Sequence, residues 1–253
     1  MAASESAKKV ILKIKRQDSA DAPPRWEEFE VPWQEHLNVH AALMQIQMNP
    51  ATRDGKKVAP VVWDANCLEE VCGSCTMIIN GKVRQACSAL VDTLDQPVEL
   101  RPLTKFPLVR DLAVDRQRIF DKFKKVRAWI DIDGTHDMGP GPRYSAELAE
   151  ARYALSRCMA CTCCMEACPN YGPQSEWMGP AAVNQARLFN LHPTGAMRGD
   201  ERIDALMDTD GIEDCGNSQN CVEVCPKDIP LTTSLADMMR ATTKHALASL
   251  FRR

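Results

Sequence analysis

The chain has 253 residues, of which 45% are hydrophobic and 26% charged, with a formal net charge of −3. That is enough apolar material for one large domain or two small ones, and too little positive charge for a nucleic-acid binder. No apolar run reaches the roughly 18 residues that cross a bilayer. The opening MAASESAKKVILKIKR has too short an apolar stretch for an export signal, with no small-residue cleavage site after it. These features predict a chain that stays in the cytoplasm or docks onto something there. In that reducing setting its 12 cysteines hold metal rather than disulfides.

Val10 to Lys15 alternates apolar and polar residues, the period of a half-buried strand. Gln17 to Trp26, QDSADAPPRW, reads as an exposed loop between the first two strands. His36 to Gln47 carries apolar residues at helical spacing. Cys67, Cys72 and Cys75 follow as C-x4-C-x2-C, and Cys87 lies beyond the segment Thr76 to Gln85, where Asn80-Gly81 between two apolar stretches signals a hairpin. This three-plus-one spacing is the plant-type arrangement for a [2Fe–2S] cluster. A tight loop brings three thiolates together, Gly73 relieves crowding where backbone meets cluster, and the last thiolate comes from beyond the hairpin. Four thiolates could instead hold zinc, although structural zinc sites favour paired short knuckles.

From about Phe106 the periodicity turns helical, which puts a domain boundary near residues 104 to 110 and divides 1–106 from 107–253. Asp115 to Trp129 is charged and amphipathic, with Ile119, Phe120, Phe123 and Val126 on one side. Asp133 to Ser145 is rich in Gly and Pro and predicts a loop. Helical patterns return at Ala146 to Ser156, Pro180 to Leu191 and Ser234 to Phe251.

Two cysteine runs interrupt these helices. CMACTCCMEACP, Cys158 to Pro169, contains Cys158, Cys161, Cys164 and Cys168 as C-x2-C-x2-C-x3-C-P. That is the bacterial ferredoxin run, whose fourth cysteine serves the other cluster when two are present. Cys163 falls outside the register and reads as a buried free thiol. CGNSQNCVEVCP, Cys215 to Pro226, repeats the run with Ser218 at the middle thiolate. Exchanging the fourth cysteines gives Cys158, Cys161, Cys164 and Cys225 to a [4Fe–4S] cluster and leaves Cys168, Cys215 and Cys221 for the other. Three thiolates predict [3Fe–4S]; an alkoxide from Ser218 would instead retain a fourth iron. There is no GxGxxG or GxxxxGK phosphate loop and no His-Glu pair at helical spacing for a hydrolytic metal site. Three clusters without such motifs describe an electron wire that needs a donor and an acceptor.

A plant-type group, a full bacterial run and a serine-interrupted run, in that order, resemble the iron–sulfur subunit of succinate dehydrogenase and fumarate reductase, respiratory complex II of the tricarboxylic acid cycle. GPAAVNQARLFNLHPTGA (Gly179 to Ala196) and DCGNSQNCVEVCPKDIPLTTSL (Asp214 to Leu235) strengthen the likeness, which spans residues 8 to 250. The resemblance implies an α+β fold: an N-terminal β-grasp plant-type ferredoxin domain beside a flavoprotein subunit carrying FAD, then an all-α bacterial-ferredoxin-like domain docked on a membrane anchor at the cytoplasmic face of the cell membrane. It implies electron flow from succinate through flavin, [2Fe–2S], [4Fe–4S] and [3Fe–4S] to quinone, with fumarate reduction the reverse and no action on succinate by this chain alone. Pro169 matches the family's quinone-site proline. The tryptophan-rich segment and the histidine of ubiquinone-linked members are replaced here by PNYGPQSEW and Gly216. CGNSQNC looks more like the menaquinone-linked branch, whose anchor is often a single cytochrome b subunit carrying haem b. A second reading keeps the clusters in an adaptor subunit for another flavin-dependent dehydrogenase.

The remaining features have plain readings. His192 and His245 are surface or core residues, Leu235, Met238, Met239, Leu247 and Phe251 are core or subunit-interface contacts, and Arg252-Arg253 complements a helix C-terminus. Trp177 is a candidate neighbour of the anchor.

Overall fold

The computed structural model describes residues 8–131 and 143–251. The chain forms two compact units, Met1–Arg116 and Gln117–Arg253.

In the first unit, β1 (Lys9–Arg16), β2 (Arg25–Pro32), β3 (Thr76–Ile79), β4 (Lys82–Gln85) and β5 (Val98–Arg101) form one sheet in the order β2-β1-β5-β3-β4. β1 pairs antiparallel with β2 and parallel with β5, and the other pairs are antiparallel. Val39, Ala42, Leu43 and Ile46 of helix α1 (Val39–Met48) join Leu12, Ile14, Met77, Ile79 and Leu100 in a single core. This is the β-grasp arrangement of a ferredoxin domain.

Local chemistry sets each boundary. Asn80 and Gly81 both take positive φ, 47° and 78°, which a two-residue turn between twisted strands requires. The Asn38 side chain accepts from the Ala41 N–H at 2.8 Å and starts α1. The helix therefore begins three positions after His36, whose own φ is 60°. β1 turns Val10, Leu12, Ile14 and then Arg16 inward, each at most 1% exposed. The inward charge of Arg16 is met by Asp111, in the turn between β6 (Leu108–Arg110) and β7 (Ala113–Val114). This tie keeps residues 107–116 with the sheet, so the first unit runs past residue 106 to Arg116.

The second unit contains α2 (Gln117–Lys125), α3 (Ala146–Ser156), α4 (Cys163–Glu166), α5 (Gly179–Asn190), α6 (Gly199–Leu206), α7 (Asn220–Glu223) and α8 (Leu231–Phe251), with no strand among the described residues. α5 is its axis and packs against α2, α3, α4, α6 and α8. Small residues Gly179, Ala181, Ala182 and Ala186 let its neighbours approach closely. Buried Asn184 ties it to the Leu155 carbonyl at 3.3 Å and to the Ser234 hydroxyl at 3.2 Å. Arg202, 2% exposed, donates to the carbonyls of Arg127, Gly195 and Trp129.

On α2, Ile119 and Val126 are buried, but Phe120 is 48% exposed, in edge contact with Phe123. Adjacent residues on a helix lie about 100° apart, so Phe120 cannot share the face of Ile119. On α8, Leu235 and Met238 are core, whereas Leu247 and Phe251 are exposed. No helix among the described residues is long and apolar enough to cross a membrane. Most of the Asp133–Ser145 segment, and Arg252-Arg253, lie outside the described residues.

Candidate metal centres

The first cysteine group sits on the loop between α1 and β3 and just after β4. Leu68, Glu70 and Gly73 all take positive φ, from 57° to 72°, so the chain curls tightly around Cys67 and Cys72. The curl aims backbone donors at sulfur: Val71 N and Cys72 N each reach Cys67 Sγ at 3.2 Å, and Ser74 N reaches Cys72 Sγ at 3.4 Å. Cys75 and Cys87 face each other across the base of the β3–β4 hairpin, where Ala86 N donates to the Cys75 carbonyl at 3.1 Å. Burial and then Cys75 push the Cys87 thiol up to about 12. Burial also raises Cys72, but hydrogen bonds from Ser74 and from the backbone N–H groups of Cys67 and Ser74 outweigh it and bring that thiol down to about 6.

The loop is anchored from below. Arg116 donates from Nη1 to the Gly73 carbonyl at 2.6 Å and from Nη2 to the Ser74 carbonyl. Gly73 O also accepts from Thr76 Oγ1 at 2.8 Å, which in turn accepts from Gln85 Nε2 at 3.1 Å. Motif spacing does not reveal Arg116, because it is 41 residues beyond Cys75 in the chain.

In the second unit the two cysteine runs adopt one backbone twice. Ala160 and Thr162 take φ of 53° and 71°; Asn217 and Gln219, at the same places in the second run, take 51° and 65°. Each left-handed pair leads into a one-turn helix, α4 or α7, and each helix carries its last cysteine away toward the other loop. One cavity is lined by Cys158, Cys161, Cys164 and Cys225. A second is lined by Cys168, Cys215 and Cys221, with Ser218 in the same wall. Cys163 is fully buried and lines the first cavity, a placement that its lack of register did not reveal.

Among the described residues no three His, Cys, Asp or Glu side chains converge closely enough to hold one metal ion. The thiols ring cavities instead, and two observations fit a larger group to them. First, the sulfurs oppose one another's ionisation. Burial, then Cys161, Cys158 and Cys225, push Cys164 well above an ordinary thiol. Burial, then Cys168 and Cys215, push Cys221 up to about 11. Positive charge inside such a ring turns mutually repelling thiols into ligands. Second, Trp177 lines the second cavity at 1% exposure, and its Nε1 finds no acceptor among the described residues. An unmet buried donor costs about 1–3 kcal/mol.

Other sequence candidates fall elsewhere. Pro169 follows Cys168 at the surface. Gly216 lines the second cavity, where a Cβ would come 3.0 Å from Asn170 Oδ1; Asn170 is itself fixed by donating to the Asp214 carbonyl at 2.7 Å. A histidine at that place would have to displace Asn170. His192 Nδ1 accepts from Thr194 N and Gly195 N, and His245 pairs with Asp204 at 3.0 Å.

Comparison with known proteins agrees with this architecture. Residues 11–121 match the model of a 2Fe-2S iron-sulfur cluster binding domain, and residues 154–229 that of a 4Fe-4S dicluster domain. The succinate dehydrogenase iron-sulfur subunit of Bacillus subtilis is 58% identical over 94% of each chain. The fumarate reductase iron-sulfur subunit of Wolinella succinogenes is 30% identical over 88% of this chain and 91% of its own. The fold is also that of a chain in the Mycobacterium smegmatis Sdh1 complex in the apo form, with a TM-score of 0.78 at 22% identity, covering 94% of this chain and 97% of that one. Shared along nearly its whole length with both kinds of relative, the sequence belongs to the family of iron–sulfur subunits of succinate dehydrogenase and fumarate reductase, the electron-transfer subunits of those oxidoreductases.

Proposed function

We propose that the chain links a flavoprotein subunit, which carries FAD and the succinate/fumarate site, to menaquinone at a cytochrome b anchor carrying haem b, on the cytoplasmic face of the cell membrane. In this reading Cys67, Cys72, Cys75 and Cys87 hold [2Fe–2S]. Cys158, Cys161, Cys164 and Cys225 hold [4Fe–4S], and Cys168, Cys215 and Cys221 hold [3Fe–4S]. The observation that carries it is the crossover: Cys225 lines the cavity of the first run, and Cys168 that of the second. When bound, each cluster supplies a one-electron carrier, which no side chain here could replace.

The chain's own residues orient and insulate those carriers. Arg116 and Thr76 fix the carbonyl of Gly73, so the N–H groups of Val71, Cys72 and Ser74 stay directed at sulfur. The same loop leaves Leu68 and Val71 exposed, 51% and 57%, which gives the first centre an apolar face suited to a partner subunit. At Ser218 a hydroxyl stands where a thiol would be, and a hydroxyl is far harder to deprotonate, which supports the three-iron form. Pro169, beside Cys168, is the residue assigned to the quinone's vicinity.

Electron paramagnetic resonance on the air-oxidised complex tests the reading. An oxidised three-iron signal is expected, together with a co-purifying flavin subunit and a haem-containing anchor, and quinone-linked succinate oxidation. A fourth iron at the second site, or a complex without quinone reductase activity, would overturn it. Assay in both directions decides between succinate oxidation and fumarate reduction, the former favoured by the 58% identity to the Bacillus subtilis succinate dehydrogenase subunit.

A further inference from the structure

We propose that the indole N–H of Trp177 donates a hydrogen bond to a sulfur of the three-iron cluster, and that this bond raises the potential at which the centre is reduced. The inference rests on the three-cysteine reading of the second cavity. Trp177 Nε1 is a donor only. It is buried, the side chain is 1% exposed, and no described residue accepts from it, Ser218 in the same wall included. A native interior rarely leaves such a group unmet, so the acceptor belongs to whatever fills the space bounded by Cys168, Cys215 and Cys221.

The ring has little room to swing toward another partner, because it is buried and the backbone on both sides is pinned. Trp177 N donates to Ser175 Oγ at 3.2 Å, and Met178 N donates to the Asp210 carbonyl at 3.0 Å. Arg118 holds the Gly172 carbonyl at 2.5 Å and also the Ser175 carbonyl. Asp210 is in turn held by Lys122 at 2.8 Å. A fixed N–H dipole directed at sulfur stabilises the more negative, reduced state more than the oxidised one, which is how hydrogen bonds to sulfur tune such centres.

Spectroscopy on the intact complex tests this. In wild type grown with nitrogen-15 tryptophan, the three-iron signal should show coupling to one indole nitrogen and to one exchangeable proton. In Trp177→Phe the proton coupling should vanish at full iron content, and the one-electron reduction equilibrium should fall about tenfold, 59 mV. Leu235→Val, which alters packing of the same wall without removing a donor, should keep the proton coupling. Absence of both couplings from an intact wild-type three-iron signal would overturn the proposal, as would an unshifted potential in Trp177→Phe. So would a shift seen only when quinone is added, since that assigns the N–H to quinone. If wild type lacks the three-iron signal altogether, it is the reading of the cavity that fails.

Discussion

Arg16 and Asp111 form a pair with no solvent exposure on either side chain. Arg16 Nε donates to Asp111 Oδ1 at 2.9 Å and Nη2 to Oδ2 at 3.2 Å, while Asp111 also accepts from the backbone N–H groups of Gln17 and Val62. The arginine further donates to Glu27 at 2.7 Å and to the Ala59 carbonyl at 3.0 Å. With all three guanidinium nitrogens hydrogen-bonded, the pair is stable where it sits, and removal of one partner strands the other. Asp111→Ala should therefore cost the first unit about 3–5 kcal/mol. The urea midpoint for bleaching of the [2Fe–2S] absorbance measures it. A cost below about 1 kcal/mol, the range of an exposed pair, would contradict the burial.

The crossover separates Cys225 from Cys168. Cys225→Ala should remove the signal of the four-iron centre and leave three-iron resonance present, and Cys168→Ala should do the opposite. Loss of the three-iron centre in Cys225→Ala with the four-iron centre untouched would place each cysteine in its own loop.

Ser218→Cys supplies a fourth thiolate to the second cavity. Iron should rise by one per chain and the oxidised three-iron resonance should disappear. Quinone reduction should fall at the same time, because a cubane with four thiolates reduces at a different potential. Unchanged iron would show that the side chain at 218 does not face the missing corner.

Arg116→Lys keeps the charge but gives up the fork that holds two carbonyls. Each charge-assisted hydrogen bond is worth about 1.5–3 kcal/mol, so [2Fe–2S] should be lost at lower urea and its resonance should broaden. The clusters of the second unit serve as the internal standard and should not change.

Lys125 carries a pH dependence. Burial works against its ammonium, but hydrogen bonds with Asp208 and Asp210 outweigh burial and hold its pKa above the ordinary 10.5. A raised pKa in the folded state means that the stabilisation is complete below 10.5 and is lost as pH rises through the folded value. The difference in thermal midpoint between wild type and Lys125→Met should thus be flat at neutral pH and shrink on the alkaline side. A difference that grows there would reverse the assignment.

What the sequence revealed and what it hid divide along chain distance. The strand at Val10–Lys15, the Asn80-Gly81 turn and the helix Ala146–Ser156 are local: alternation, turn chemistry and a Ser145 cap that accepts from Leu148 N at 3.2 Å write them into neighbouring residues. The gathering of Cys158, Cys161, Cys164 and Cys225 around one cavity, and of Cys168, Cys215 and Cys221 around another, was legible in the spacing of the bacterial run. Arg16 was missed because a charge at a strand's end reads as its exposed finish, and only Asp111, far along the chain, makes the inward position tolerable. Arg116 escaped for a similar reason, and Trp177 was read only as a neighbour of the anchor, since the carbonyls and cavity they serve are assembled by folding. Phe120 was misplaced by grouping apolar residues without stepping around the helix.

The exchange of final cysteines between two loops of matching backbone has a consequence for how the protein matures. Neither chamber has its full complement of sulfur until the other loop has folded against it, so inserting inorganic cargo into one helps to lock the frame of its twin. Folding of the helical half is thereby made cooperative: both loops must dock before either chamber is complete, and a chain with one loop undocked is a poor host at both.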